Sequence, residues 1–90
     1  MNSILVDYSP FTLGVILQVK KDGEKVLYTK IEHSSELEDF VLKTADQYNI
    51  NDVYIRPFDK KHGDRILKKY NNTLNKNFTS RVDSVKFHLV

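Results

Sequence analysis

Ile4-Leu5-Val6-Asp7-Tyr8-Ser9-Pro10-Phe11-Thr12-Leu13-Gly14-Val15-Ile16-Leu17-Gln18-Val19 is the stretch on which the fold turns. Ile4 to Tyr8 is a short apolar run. Ser9-Pro10 closes it, because proline offers no N–H to a ladder and restricts the residue before it. From Thr12 to Val19 the period is two, with Leu13, Val15, Leu17 and Val19 on one face and Gly14, Ile16, Gln18 and Lys20 on the other. This spells two strands with a tight connection, and one acid, Asp7, near the end of the first.

Outward from this hairpin, Lys20-Lys21-Asp22-Gly23-Glu24 holds an Asp-Gly pair, the strongest short-range hairpin signal. Lys25 to His33 then returns, with Val26, Tyr28 and Lys30 opposite Leu27, Thr29 and Ile31. The expectation is a three-stranded antiparallel meander. At Ser34 the period changes. Ser35 and Glu38 have capping-box spacing, and Leu37, Phe40, Val41, Thr44, Ala45 and Tyr48 form a helical stripe. A helix is expected from about Glu36 to Tyr48, ending near Asn49. Asn51 to Arg56 comes next as a strand, with Val53 and Ile55 on one side and Tyr54 and Arg56 on the other, and Pro57 stops it. A second helix starts at Lys60 or Asp64, with Asp59 or Gly63 as its boundary, and runs to Asn75. It turns Ile66, Leu67, Tyr70 and Leu74 inward. Asn71-Asn72 are poor helix formers that should fray or kink it. Thr79 to Asp83 reads as polar linking chain. Ser84 to Val90 is the last strand, with Val85, Phe87 and Leu89 opposite Lys86 and His88.

The element order is β-β-β-α-β-α-β. A helical crossover makes parallel neighbours through a right-handed connection. The fold class is therefore α/β, a single mixed five-stranded sheet of spatial order 3-2-1-4-5 with the first strand central. The length of 90 residues suits one domain, residues 1–90, with no room for a second core. Both helices cross on the same side. Val53, Ile55, Val85, Phe87 and Leu89, with Leu37, Phe40, Val41, Ile66 and Leu67, should make one core. The opposite face would present Tyr54, Arg56, Lys86 and His88, with Gln18, Ile16 and Tyr28 or Thr29.

Composition narrows the function classes. Cysteine is absent, which removes disulfides and thiolate zinc sites and suits a reducing, cytoplasmic setting. His33, His62 and His88 are scattered without metal-ligand spacing, so no metal site is expected. No apolar run of about 18 residues is present, so no membrane partner is expected. Met1-Asn2-Ser3 leads straight into a strand, without the basic-then-apolar order of a secretory signal. The net charge of +2 is mild, but its distribution is not even. Acids gather between Glu32 and Asp52, and Lys60, Lys61, Arg65, Lys68, Lys69 and Lys76 crowd the next stretch of chain, which favours an anionic partner. The Lys, Asn, Ile and Tyr usage suits an AT-rich genome such as that of a phage or low-GC bacterium.

The order of elements resembles the ribonuclease H-like fold over nearly the whole chain. The resemblance implies a catalytic aspartate on the first strand, a place that Asp7 matches, and further carboxylates holding two divalent metals. The family's acid near the end of the fourth strand falls at Arg56-Pro57. Glu38 or Asp39 stands where a helix acid would, and Asp59 has no counterpart. Actin-like ATPases of the same broad fold carry an Asp-x-Gly-Thr phosphate turn. Here Asp7-Tyr8-Ser9-Pro10 lacks the glycine, and Pro10 removes a donor. Val53-Tyr54-Ile55-Arg56-Pro57-Phe58-Asp59-Lys60-Lys61-His62-Gly63-Asp64-Arg65-Ile66 is similar to the strand-loop-helix of the ribosomal L18 and S11 proteins. That resemblance implies RNA binding without catalysis, although the family's glycine pair is missing and Asp64 interrupts its His-Gly-Arg order.

Taken together, the residues point to a small non-catalytic module that binds RNA or DNA. Its basic loop would be Lys60, Lys61, His62, Arg65 and Lys69, where cations meet a helix N-terminus. Its aromatic-basic sheet face would be Tyr54, Arg56, Lys86 and His88. The alternative is a protein-interaction or dimerisation module, including a homodimer, since Tyr and Arg also anchor protein interfaces. A second alternative is a divergent nuclease using Asp7, and only that reading calls for a cofactor, Mg²⁺. Asp7 equally suits a strand-end acid that bonds the Ser9 or Thr12 backbone.

Overall fold

The computed structural model describes residues 2–8, 14–77 and 85–90. Along them run β1 (Ser3–Asp7), β2 (Val15–Lys21), β3 (Glu24–Ile31), α1 (Leu37–Gln47), β4 (Asp52–Arg56), α2 (Lys60–Asn77) and β5 (Lys86–Leu89). The strands form one sheet in the order β3-β2-β1-β4-β5, as the element order predicts. β1 is paired on both edges. It runs antiparallel to β2, with Val6 opposite Leu17, and parallel to β4, with Val6 opposite Ile55. The expected linking chain from Thr79 to Asp83, and Thr12, Leu13 and Ser84 of the expected strands, lie outside the described residues.

Each element ends for a local reason. Asp22 and Gly23 both have positive φ, 54° and 83°, so they make the mirror-image two-residue turn that fits the strand twist. Two residues past α1, Asn49 has a left-handed φ of 56°. The Ile50 N–H donates to the Ala45 carbonyl and the Asn49 N–H to the Asp46 carbonyl, which closes the helix C-terminus and drops Ile50 into the core. α2 begins at Lys60, where the Asp59 carboxylate accepts the His62 N–H at 2.8 Å. It continues through Asn71-Asn72 to Asn77, because Tyr70 and Leu74 are buried on either side of that pair.

The core lies on one side of the sheet. Ile4, Val6, Val15, Leu17, Val19, Val53 and Ile55 face Leu37, Val41 and Ala45 of α1 and Ile66 and Tyr70 of α2. Both crossovers therefore pass over the same face. Val85, Phe87 and Leu67 are only partly buried against this cluster.

Three local expectations are corrected. The Ser35–Glu38 capping box does not form, and no side chain caps α1. The helix starts one residue too late for it, at Leu37, whose side chain is in the core. Ser34 organises the entry instead, its Oγ accepting the Glu36 N–H at 3.2 Å. Phe40 is 44% exposed while Leu42 and Glu38 are buried, because the arc of α1 that touches the sheet is rotated from the predicted stripe. Leu89 is 43% exposed. It sits at the end of an edge strand and meets α2 at Gly63, which has no side chain to cover it.

Gly14 is the tightest backbone position. Its φ is +142°, and a Cβ there would lie 2.7 Å from the Ile31 carbonyl oxygen, where β2 starts beside the end of β3. Gly14→Ala should lower stability by about 1–3 kcal/mol. Thermal unfolding checks this: the midpoint should fall by roughly 4–8 °C per kcal/mol, and an unchanged midpoint would show the turn to be relaxed.

Candidate functional site

The sheet face away from the helices carries the first candidate site. Residues paired in register point to the same side of a sheet, so the pairings lay out its rows. Tyr28 pairs Gln18, Gln18 pairs Leu5, Leu5 pairs Tyr54 and Tyr54 pairs His88. The result is one row, Tyr28–Gln18–Leu5–Tyr54–His88, crossing all five strands. This settles the choice between Tyr28 and Thr29 in favour of Tyr28, since Thr29 pairs Leu17 of the core face. Tyr54 and His88 stack with ring centroids 4.7 Å apart at 24°.

Charges frame this row. A register shift after Val19 places Lys25 opposite Lys20. The bulge carries the Lys25 ammonium over the Tyr28 ring, 4.7 Å from its centroid. Lys30, Ile16, Asp7 and Arg56 form the next row, and Lys86 stands opposite Asp52. Arg56 donates to the Asp7 carboxylate at 3.2 Å. His88 Nε2 and the Asp52 carboxylate are 3.0 Å apart. Both acids of the face are thus engaged. Lys20, Lys25, Lys30 and Lys86 form no ion pair with a described carboxylate. A shallow depression of about 210 Å³ lies between Leu5, Gln18, Lys20, Tyr54 and Arg56.

A second cluster lies on the helix side, beyond the end of β1. Tyr8, the residue after β1, is buried, and its hydroxyl is 2.9 Å from that of Tyr70. The Tyr8 ring meets His62 edge-on, centroids 5.0 Å apart, and His33 at 5.9 Å. Tyr8, His33 and His62, with Ser35, Glu38 and Lys69, line a cavity of about 440 Å³. His62 Nδ1 accepts the Phe58 N–H at 2.9 Å, which leaves its ring proton on Nε2. Burial and then the Arg65 guanidinium hold its pKa below the ordinary value, so His62 is a neutral donor here. Burial pushes both tyrosines well above theirs, with Glu38 adding to the effect.

The sequence-predicted residues therefore split into separate groups. Tyr54, Arg56, Lys86 and His88 share the open face. His62 and Lys69 turn into the Tyr8 cavity, while Lys60, Lys61 and Arg65 stay exposed on α2. The expected single basic loop is not one surface. Asp7 points to the open side, whereas Glu38 lies under the helices, Asp39 pairs with Lys43 at 3.0 Å and Asp59 caps α2. The acids considered as partners of Asp7 do not converge on it. Among the described residues, no group of three His, Asp or Glu side chains is placed to hold a metal ion. No described helix is long and apolar enough to cross a membrane.

Sequence reasoning missed Leu5, Lys25 and Asp52 on the open face and Tyr8 in the cavity, and it gave Glu38 other roles. Strand alternation marked Leu5 and Asp52. Nothing local marked the bulge. No protein-family model, curated protein or solved structure matches the chain, so the geometry alone carries the functional argument.

The tyrosine pair sets an alkaline limit. Its folded-state pKa values are raised, so its contribution is fully present below the ordinary value of 10.0. Above that pH it is lost, because the unfolded chain ionises first. Urea midpoints should fall above about pH 10. Tyr70→Phe should cost about 1–3 kcal/mol at neutral pH by stranding the Tyr8 hydroxyl, and should flatten the alkaline loss. An equally steep loss in the variant would show that other groups cause it.

Proposed function

We propose that this chain is a non-catalytic module that binds single-stranded nucleic acid on the open face of its sheet, in the cytoplasm and without a cofactor. The observation that carries the reading is the Tyr28–Gln18–Leu5–Tyr54–His88 row between the ammonium groups of Lys20, Lys25, Lys30 and Lys86. Four strand spacings make the row roughly 19 Å long, which has room for two or three bases. Tyr28, Tyr54 and His88 offer flat rings for stacking, and Leu5 and the Gln18 amide lie between them. The lysines stand where phosphates on either side would run. Lys20, Lys25, Lys30, Lys86 and Arg56 outnumber Asp7 and Asp52 on this face, which gives it the positive charge that strand binding requires.

Cleavage at Asp7 finds less support. Its carboxylate is held by Arg56, and Glu38 faces the other way. A protein partner on the same face is the alternative outcome of the test.

Fluorescence anisotropy with labelled RNA and DNA oligonucleotides across a salt series is that test. Four lysine–phosphate contacts predict a log–log slope of about −3, or roughly 50-fold weaker binding between 50 and 200 mM salt. Tyr54→Ala should weaken binding about 5- to 150-fold, the worth of one stacked base, with the melting temperature nearly unchanged. No binding of either nucleic acid at low salt would falsify the proposal. A dimer in sedimentation that Tyr54→Ala dissolves would assign the face to a protein contact instead.

A further inference from the structure

Phe58 is 67% exposed, the most of any large apolar side chain among the described residues. Such exposure on a loose loop would mean little, but this loop is clamped. The Phe58 N–H donates to His62 Nδ1 at 2.9 Å. The His62 N–H in turn donates to the Asp59 carboxylate at 2.8 Å, and the Gly63 N–H to the Asp59 carbonyl at 2.9 Å. The backbone on both sides of the ring is therefore held, and the ring is presented to solvent from a defined position.

That position lies just past the C-terminal end of β4. Along β4, Tyr54 and Arg56 point away from the helices. Pro57 turns the other way, close against Gly63 of α2. Phe58 follows Arg56 by two residues, in the bend that joins β4 to α2. Lys60 and Lys61 come directly after, both exposed. They occupy the first turn of α2, which carries no acid. The Asp59 carboxylate caps that turn, so the two ammonium groups are what an anion would meet there.

We infer that a bound single strand leaves the sheet face past Arg56, stacks one further base on Phe58, and has its backbone held there by Lys60 and Lys61. This rests on the proposed sheet-face binding and extends its footprint over the C-terminal end of β4. The face alone takes two or three nucleotides, and Phe58 is reached only by a longer strand. The occupant is nucleic acid because an aromatic ring and two ammonium groups complement a base and its phosphates.

Oligonucleotide length separates the two ideas. Binding of oligo(dT) and oligo(U) of about three and about eight nucleotides is measured for the full chain and for Phe58→Ala, Lys60→Ala/Lys61→Ala and Tyr54→Ala. Phe58→Ala should weaken the long oligonucleotide at least about 5-fold and leave the short one unchanged. The double lysine variant should reduce the salt slope of the long one by about 1.4. If Phe58→Ala binds the long strand like the parent while Tyr54→Ala still weakens it, the inference is overturned and the sheet-face reading stands. Equal loss at both lengths also overturns it, because Phe58 would then act within the short site or through the fold. Thermal melting separates the last two. If neither oligonucleotide binds the parent chain, both readings fall together.

Discussion

The pairing of β1 on both of its edges is the constraint on which the rest of the molecule depends. Antiparallel pairing with β2 needs only a short connection, but parallel pairing with β4 forces the chain to cross the sheet through a helix. Right-handed crossing sends α1 over one face, and the crossing from β4 to β5 sends α2 over the same face. Ile4, Val6, Val53 and Ile55 meet at this central seam with no exposure. Each contributes about 1.5–3 kcal/mol by burial, against a net stability of about 5–15 kcal/mol for a domain of ordinary size. For the same reason, no helix among the described residues lies on the other face.

The two sides of the sheet consequently hold different chemistry. Under the helices, polar groups survive only in contact with one another. The Tyr8 and Tyr70 hydroxyls are paired, and His62 spends one nitrogen on the Phe58 amide. Glu38, 8% exposed, borders the cavity beside them. On the open side, acids and cations are arranged by register. Asp7 meets Arg56 because β1 and β4 run parallel and in step. Asp52 meets His88 near the start of the β4–β5 ladder. Four lysines remain without a described carboxylate partner, and they surround the aromatic row. That arrangement is what the proposed nucleic-acid reading rests on.

The resemblance that places Asp7 at a catalytic position directs attention to one acid. The fold gives that acid a different setting. Strand alternation sends Asp7 to the side opposite Ile4 and Val6, and α1 lies on the side of Ile4 and Val6. An acid on α1 therefore approaches from the wrong side of the sheet. The same alternation puts Tyr54 and Arg56 beside Asp7, so the end of β1 belongs to the aromatic-basic surface.

Much of this was legible in the residues. Period-two alternation in β2, β4 and β5 is a property of extended backbone, and it assigned Tyr54, Arg56, Lys86 and His88 to one face. The Asp22-Gly23 turn comes from residues that tolerate positive φ, and the element order with right-handed crossovers leads to the sheet order. Other features depend on partners distant in sequence. Lys25 joins the face through a bulge set by the β2–β3 register. The Arg56–Asp7 and His88–Asp52 pairs depend on how parallel strands align. Phe40 and Leu89 are apolar in the right period, yet they are uncovered because packing arcs and the bare Gly63 decide what touches them. Local torsions and periodicity are written in neighbouring residues, so the sequence by itself determined the elements and the faces of the strands. Register and coverage arise only when elements far apart in the chain meet, so the tertiary structure alone decided which charges are paired and which remain available.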